Sequence, residues 1–364
     1  MSNKAVIGLG FGDEGKGLFT DYLCSQVTNP LVIRFSGGQQ AGHTVILNGI
    51  RHVFSNFGAG TLRGAPSYFA KTCTIDPVGI VNELSVLLDK GIKPLLFIDS
   101  HCPVTTPFDI HYNQANNKHG SCGVGVGATF NREEHYYSLT FGDLFYPWVL
   151  TTKLEAIKSF YGNEELDLTH FLECCELIIH NTYIEKTDGI PKNNYNHIFE
   201  GSQGLLLDKN YGFFPHVTRS NTGTQNILPL LGHDTLSVYL ITRAYQTRHG
   251  AGALSNETLP HNIQKNPNET NITNLYQGEL RYALLDVSLL EYAINKDEYL
   301  RTITNKALVI TCLDHIQNEY RFTYQNTIIY CQNEAEFVKK IADILKIKTL
   351  YLSNSDEAKN IRSF

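Results

Sequence analysis

Near the N-terminus, Gly10-Phe11-Gly12-Asp13-Glu14-Gly15-Lys16 packs two acids and a lysine into a glycine turn. A short apolar strand, Ala5 to Gly8, precedes it, and a helix from Gly15 to about Gln26 follows. Strand, glycine turn, helix is an arrangement that holds phosphate. The first N–H groups of a helix are unpaired and carry partial positive charge. The segment fits GxGxxG, the dinucleotide fingerprint, and most of the P-loop pattern GxxxxGK followed by Ser or Thr. A dinucleotide site wants an acid closing the second strand, and Leu31 to Phe35 runs into Ser36-Gly37 without one. The P-loop pattern lacks its Mg2+-holding hydroxyl because Gly17 stands there; Asp13 can supply the missing oxygen. A plain tight turn does not call for Asp13, Glu14 and Lys16 together.

Two further side chains have a chemical and a bland reading. His43 follows a strand in a small-residue turn, where it acts on a ligand or is a satisfied core histidine. Asp314 closes a strand, Ala307 to Leu313, and is either a base-reading carboxylate or a strand-end cap.

The elements that must position these groups alternate. Pro77 to Leu88 is helical in pattern, Pro94 to Asp99 strand-like, and His119 to Ala128 a glycine-rich loop. Leu154 to Ile184 carries one or two amphipathic helices. Ile198 lies near the end of a strand entering Glu200-Gly201-Ser202-Gln203-Gly204, and Ser237 to Tyr245 is a strand. Ser255 to Asn274 is polar, Asn-rich and poorly periodic, a surface loop. Asp286 to Asn295 is a helix, Tyr320 to Cys331 a hairpin, Glu334 to Leu345 a helix and Thr349 to Leu352 a last strand. The expected fold is α/β: a large, mostly parallel β-sheet flanked by helices, with a P-loop-like glycine turn at the N-terminus. No repeat or linker is evident, so residues 1–364 are expected to form a single domain.

Bulk composition excludes several classes. The 364 residues are 42% hydrophobic and 18% charged, an ordinary globular balance. No apolar run approaches the ~20 residues of a membrane span, and glycines and acids interrupt the N-terminal apolar stretch, unlike a signal peptide. A net charge of −6 argues against a general nucleic-acid binder, so anionic ligands must be held by local features. The eight cysteines form no CxxC pair and are expected as reduced thiols in a cytoplasmic protein. The Asn-x-Thr patterns at Asn256, Asn268 and Asn271 are expected to be coincidental.

Several segments together are specific. Gly8-Leu9-Gly10-Phe11-Gly12-Asp13-Glu14-Gly15-Lys16-Gly17 resembles the opening motif of adenylosuccinate synthetases. Arg34 to Thr44, ending Ala41-Gly42-His43-Thr44, resembles their second glycine segment. Gly120 to Gly127 is similar to their loop over the nucleoside monophosphate. Phe199 to Asp208, Phe214 to Thr222 and Thr247 to Gly252 resemble three more, all in the family's order. The segment from 256 to 364 is similar more loosely and is shorter than usual.

The resemblance implies a ligase that phosphorylates a purine 6-oxygen with GTP and lets an amino acid nitrogen displace the phosphate. Asp13 is implied as base and metal ligand, and His43 as donor to the transferring phosphoryl group. The donor GTP is implied at Gly12, Glu14, Gly15, Lys16, Gly17, Gly42, Thr44, Asp314 and Ser353; Asp13 and the Gly42 carbonyl are implied for Mg2+. The purine monophosphate, IMP first, is implied at Gln40, Ser121, Cys122, Gln203, Thr218 and His249. L-Aspartate is implied at Arg281, with Arg248 or Arg219 as helpers. A homodimer is implied too, although the partner-directed arginine after the monophosphate loop is not evident and Arg132 is the nearest candidate.

The departures leave alternatives open. Gln40 stands where the family carries Asn, Cys122 where it carries Thr, and Cys312 where a lysine lies along guanine. The arginine-dense amino-acid loop is reduced to Arg281 within Gln277-Gly278-Glu279-Leu280-Arg281-Tyr282. The first reading is an adenylosuccinate synthetase using IMP, L-aspartate and GTP. The second is a relative acting on a guanylate such as GMP or dGMP, or with another amino acid. The third is an inactive nucleotide-binding regulator.

Overall fold

The computed structural model describes residues 3–116, 120–191, 194–232, 234–267, 269–271, 273 and 276–364. His119, which opens the expected monophosphate loop, and Asn268 and Asn274 of the Asn-rich segment lie outside the described residues.

In chain order the strands are β1 (Asn3–Gly8), β2 (Pro30–Arg34), β3 (His43–Leu47), β4 (Ile50–Phe54), β5 (Ser67–Phe69), β6 (Leu96–Asp99), β7 (Ile184–Thr187) and β8 (Asn196–Gly204). The second half adds β9 (Leu236–Arg243), β10 (Tyr245–His249), β11 (Leu280–Leu284), β12 (Lys306–Thr311), β13 (Tyr320–Tyr324), β14 (Thr327–Cys331), β15 (Thr349–Leu352) and β16 (Arg362–Ser363). Ten of them form one sheet in the order β16-β15-β12-β9-β1-β8-β2-β5-β6-β7. Every neighbour in it is parallel except β15 with β16. The expected mostly parallel sheet flanked by helices is therefore what the chain builds.

Strand periodicity sorts the core. Ala5 and Ile7 of β1, Leu31 and Ile33 of β2, and Leu308 and Ile310 of β12 share one cluster. The residues between them, Val6, Val32 and Val309, pack on the opposite face with Phe19 and Leu23. Because both faces are covered by helices, these strands read as continuous apolar runs. The first helix, α1 (Lys16–Ser25), lies on the second of these faces. A third cluster joins α2 (Pro77–Asp89) to Leu96, Ile98 and the helix Thr169–Ile179.

Most expected elements fall within two residues of their observed bounds. The strand expected over Ser237–Tyr245 is instead two: β9 ends at Arg243, and β10 leaves the main sheet to pair antiparallel with β11. The helical stretch expected from Leu154 starts earlier, as Pro147–Phe160, and its end is not helical because β7 begins at Ile184. The hairpin β3–β4, turning on Asn48-Gly49, was not anticipated.

Candidate active site

Strand β1 lies between β8 and β9, so the chain switches direction across the sheet on either side of it. In such sheets ligands collect beyond the carboxyl ends of the strands at the switch. A cleft of about 920 Å³ opens there. It is lined by the turn after β1 and the start of the next helix (Phe11 to Leu18), the segment entering β3 (Gln40 to Thr44), Gln203 of β8, Arg243 of β9, Thr311, Cys312 and Asp314 at the end of β12, and Asn354 to Asp356 beyond β15.

Close packing explains the glycines that flank the acids. A Cβ on Gly17 would stand 2.6 Å from the Cβ of His43, so α1 seats directly against the start of β3. That is why the Ser or Thr of a P-loop has no room here. A Cβ on Gly8 would run into the carboxylate of Glu14, which is folded back so that the Gly10 N–H donates to it. Asp13 adopts the left-handed region at φ 56°, unusual for a residue with a side chain. The Arg243 Nε–H donates to the Asp13 carbonyl and holds that conformation. Arg243 further donates to the Tyr245 hydroxyl (2.9 Å) and pairs with Glu269 (3.1 Å).

His43 is buried, with Nδ1 2.8 Å from Glu200 Oε1. Glu200 also accepts from the Ala59 N–H at 3.2 Å. Burial alone would raise the Glu200 carboxyl, but His43 and Arg34 outweigh it and hold it below the usual range. An ionised carboxylate only accepts, so the proton sits on Nδ1 of His43. Burial, partly opposed by Glu200, lowers the His43 pKa and leaves the ring neutral at pH 7. Among the described residues, its Nε2, Gln40 Oε1 and Glu14 Oε2 are buried and have no hydrogen-bond partner. All three residues line the cleft. Burying polar atoms without partners is costly, so their convergence on one cleft marks a polar ligand site.

Burial lifts the Glu14 carboxyl to about 7, against the pull of Lys16, whose Nζ lies 3.7 Å away. Asp13 and the Gly42 backbone line the same cleft. Among the described residues no three His, Cys, Asp or Glu side chains gather as a metal cage. One carboxylate plus one carbonyl is a sparse all-oxygen set that suits Mg2+, which keeps waters and takes phosphate oxygens, rather than a softer metal.

Of the expected site residues, Gly12, Asp13, Glu14, Gly15, Lys16, Gly17, Gln40, Gly42, His43, Thr44, Gln203, His249 and Asp314 all line this cleft. Ser353 does not: it is fully buried, its hydroxyl donating to the Ser355 carbonyl, and its neighbours Asn354 to Asp356 face the cleft instead. Ser121, Cys122 and Thr218 also stand off the cleft wall. Ser121 accepts from Asn113 at 2.8 Å, and the Thr218 N–H donates to the carbonyl of Leu207, itself a cleft residue. Arg281 lines an adjoining pocket of about 460 Å³ that shares Gln277 with the cleft.

Arg248 and Arg132 are differently employed from what was expected. Arg248 is buried over the Phe11 ring and donates to the carbonyls of Ala251, Ala253 and His216, so it is a structural strut. Arg132 is fully buried, pairing with Asp109 at 2.9 Å and donating to the Val104 carbonyl. These contacts lie within the chain and leave the guanidinium fully buried. The Asn-rich loop is not merely surface: Asn266, Glu269, Thr270 and Asn271 line the cleft, and Thr270 meets Thr44 at 3.1 Å. Arg243 and Glu269 are not singled out in the sequence, and Glu200 stands there only as part of a motif with no role assigned. The position of Arg243 at the carboxyl end of a central strand was the signal for it.

Comparison with known proteins agrees with this geometry. The family model described as adenylosuccinate synthetase matches residues 5–353. An adenylosuccinate synthetase of Francisella philomiragia is 28% identical over 95% of this chain and 86% of its own length. One from Nitrosomonas eutropha is 32% identical over 71% of this chain and 65% of its own. Among solved structures, a fully ligated adenylosuccinate synthetase from Plasmodium falciparum superposes with a TM-score of 0.79 at 18% identity, covering all of both chains. The succinoaminodeoxyadenylate synthetase of cyanophage S-2L, bound to dGMP and to dATP as energy donor, gives 0.68 at 15% identity, covering 100% of this chain and 95% of that one.

Proposed function

The chain belongs to the adenylosuccinate synthetase family, and from that premise we propose that it is a ligase acting, as one domain, on a purine nucleoside monophosphate. A purine triphosphate phosphorylates the 6-oxygen of the acceptor, and an amine then displaces the phosphate. IMP is the first-choice acceptor, GTP the first-choice donor and L-aspartate the first-choice amine. The observation that carries this reading is the convergence of Asp13, Lys16 and the unpartnered Nε2 of His43 on one cleft.

The acceptor's 6-oxygen becomes nucleophilic when Asp13 takes the N1 proton. Lys16 and the helix start at Gly15 hold the donor phosphates. His43 is neutral until an anionic phosphoryl group arrives at Nε2; that charge raises its pKa, and Glu200 behind Nδ1 stabilises the imidazolium that forms. Asp13 and the Gly42 carbonyl would hold Mg2+, which would supply positive charge against the charge developing on the transferring phosphoryl group. Asp314 accepts from guanine N1–H and N2–H₂, a donor pair that adenine lacks. Asp314 and Cys312 sit together at the end of the cleft where Asn354 to Asp356 also face it.

A guanylate acceptor is the second reading. Gln40 favours it: its unpartnered Oε1 in the cleft can accept from an exocyclic amino group. The fold admits this chemistry, since the cyanophage enzyme binds dGMP. The test is phosphate release from GTP and from ATP with Mg2+, crossed against IMP, GMP and dGMP with an amine present. Release that requires IMP supports the first reading, release that requires a guanylate the second, and release independent of any monophosphate refutes both.

A further inference from the structure

We propose that His315 is a specificity-determining residue for the donor nucleotide: its Nε2–H donates to the 6-oxygen of the donor purine. It works beside Asp314, whose carboxylate takes the purine N1–H and N2–H₂. The inference deepens the GTP reading and rests on it.

The chain brings both side chains to one end of the cleft. Strand β12 ends at Thr311, and Cys312 follows in the left-handed region at φ 56°. The turn Leu313–His315 then closes as the His315 N–H donates to the Cys312 carbonyl at 3.2 Å. The Gln264 N–H donates to the His315 carbonyl at 2.8 Å and pins the turn. Asp314 and His315 both line the cleft, as do Asn354 to Asp356.

The hydrogen bonds behind His315 assign its proton. The Nη1–H of Arg243 donates to the buried Tyr245 hydroxyl at 2.9 Å, so that oxygen already accepts. The Tyr245 O–H is therefore directed at Nδ1 of His315, 2.7 Å away, and the two rings stack with centroids 5.9 Å apart. With Nδ1 accepting, the ring proton is on Nε2. Burial lowers the His315 pKa, against the pull of Asp314, so the ring is neutral at pH 7. Nε2 lies 3.7 Å from Asp314 Oδ2, beyond hydrogen-bond reach, so its N–H is not spent on that carboxylate. Cys312, also in the cleft, offers only a weak donor.

One N–H donor beside a two-oxygen acceptor complements a purine edge that sets an oxygen next to two N–H groups, which is the edge of guanine. Adenine would give the same pair its N6–H₂ and an acceptor nitrogen, with one hydrogen bond fewer.

The test uses the full chain with Mg2+ and the acceptor monophosphate that supports phosphate release. GTP, ATP and 6-thio-GTP are compared as donors. The thio analogue keeps N1–H and N2–H₂ and exchanges the 6-oxygen for sulfur, a weak acceptor. Wild type is expected to show a KM about tenfold lower for GTP than for 6-thio-GTP, the scale of one hydrogen bond. His315→Phe keeps a ring and loses the N–H. It is expected to raise the KM for GTP about tenfold, to leave that for 6-thio-GTP unchanged and to leave kcat unchanged, the pattern of lost uniform binding. Equal KM values for the two donors in wild type, a comparison that needs no variant to fold, overturn the inference alone. So does a GTP-to-thio-GTP ratio that is the same in His315→Phe as in wild type. A wild-type preference for ATP over GTP overturns the donor reading beneath it, and no release from any triphosphate overturns the ligase reading.

Discussion

Nδ1 of His43 lies 2.8 Å from Oε1 of Glu200, and the opposite ring nitrogen, Nε2, is the buried atom left without a partner. Glu200 fixes the tautomer and stabilises the imidazolium, which makes it a positioning residue for His43. Glu200→Gln is expected to lower kcat by about 10²-fold or more with little change in nucleotide KM. Because the carboxylate favours the protonated ring, its loss lowers the His43 pKa further. The limb on which activity falls with rising pH therefore moves toward acid. An unshifted pH profile with reduced kcat would assign Glu200 a structural role only.

Asp13 presents a carboxylate from a left-handed turn held by Arg243. Asp13→Asn keeps the shape and the small polar side chain that tolerates this turn. It is expected to bind nucleotide within a few-fold of wild type while losing about 10³-fold in turnover. Calorimetric titration of the nucleotide beside a phosphate-release assay separates the two; retained turnover would remove Asp13 from the chemistry.

The Gly17 Cα faces His43 so closely that an added Cβ would lie 2.6 Å from the histidine Cβ. Alanine is a better helix former than glycine, yet Gly17→Ala must displace His43 or α1. The expected outcome is at least about a tenfold fall in kcat together with destabilisation of roughly 1–3 kcal/mol, read by activity and thermal unfolding. Full activity would show that α1 can move away without disturbing the site.

Glu14 gives a pH signature in stability. Its folded carboxyl titrates at about 7, raised by burial, against 4.5 for an ordinary glutamate. Between these values the folded chain holds a proton that the unfolded chain has released. Its stability contribution is therefore full below about 4.5 and is lost as pH rises through about 7. A shift of this size is worth on the order of 3 kcal/mol. Glu14→Gln, which cannot ionise, should flatten that part of the stability–pH curve measured by urea unfolding from pH 5 to pH 8. Parallel curves for the two proteins would contradict it.

The sheet and the glycine turn were legible because buried parallel strands and helix starts leave strong local patterns. Val6, Val32 and Val309 alternate faces within runs that are apolar throughout, so the runs announce strands on their own. Arg243 was harder, since a lone arginine at the end of Ser237–Tyr245 looks like a boundary until β9 is seen to stop there and aim it at Asp13. The employment of Arg248, Arg281 and Arg132 was not legible at all. Each is a cation whose partners, the carbonyls around Gly250, Glu257 and Asp109, lie far off in the chain or in loops without periodicity. Ser353 shows the opposite limit: the right segment faces the cleft, while the named side chain turns inward.

The central claim, that the purine 6-oxygen is phosphorylated and leaves with phosphate, is tested most directly by labelling that oxygen. Acceptor monophosphate carrying ¹⁸O at position 6 is turned over with triphosphate, Mg2+ and amine, and the released phosphate is weighed by mass spectrometry. One ¹⁸O in each phosphate, matched by its loss from the purine, is the predicted result. Unlabelled phosphate, with the purine keeping its ¹⁸O, would mean that the cleft hydrolyses a triphosphate without activating a purine.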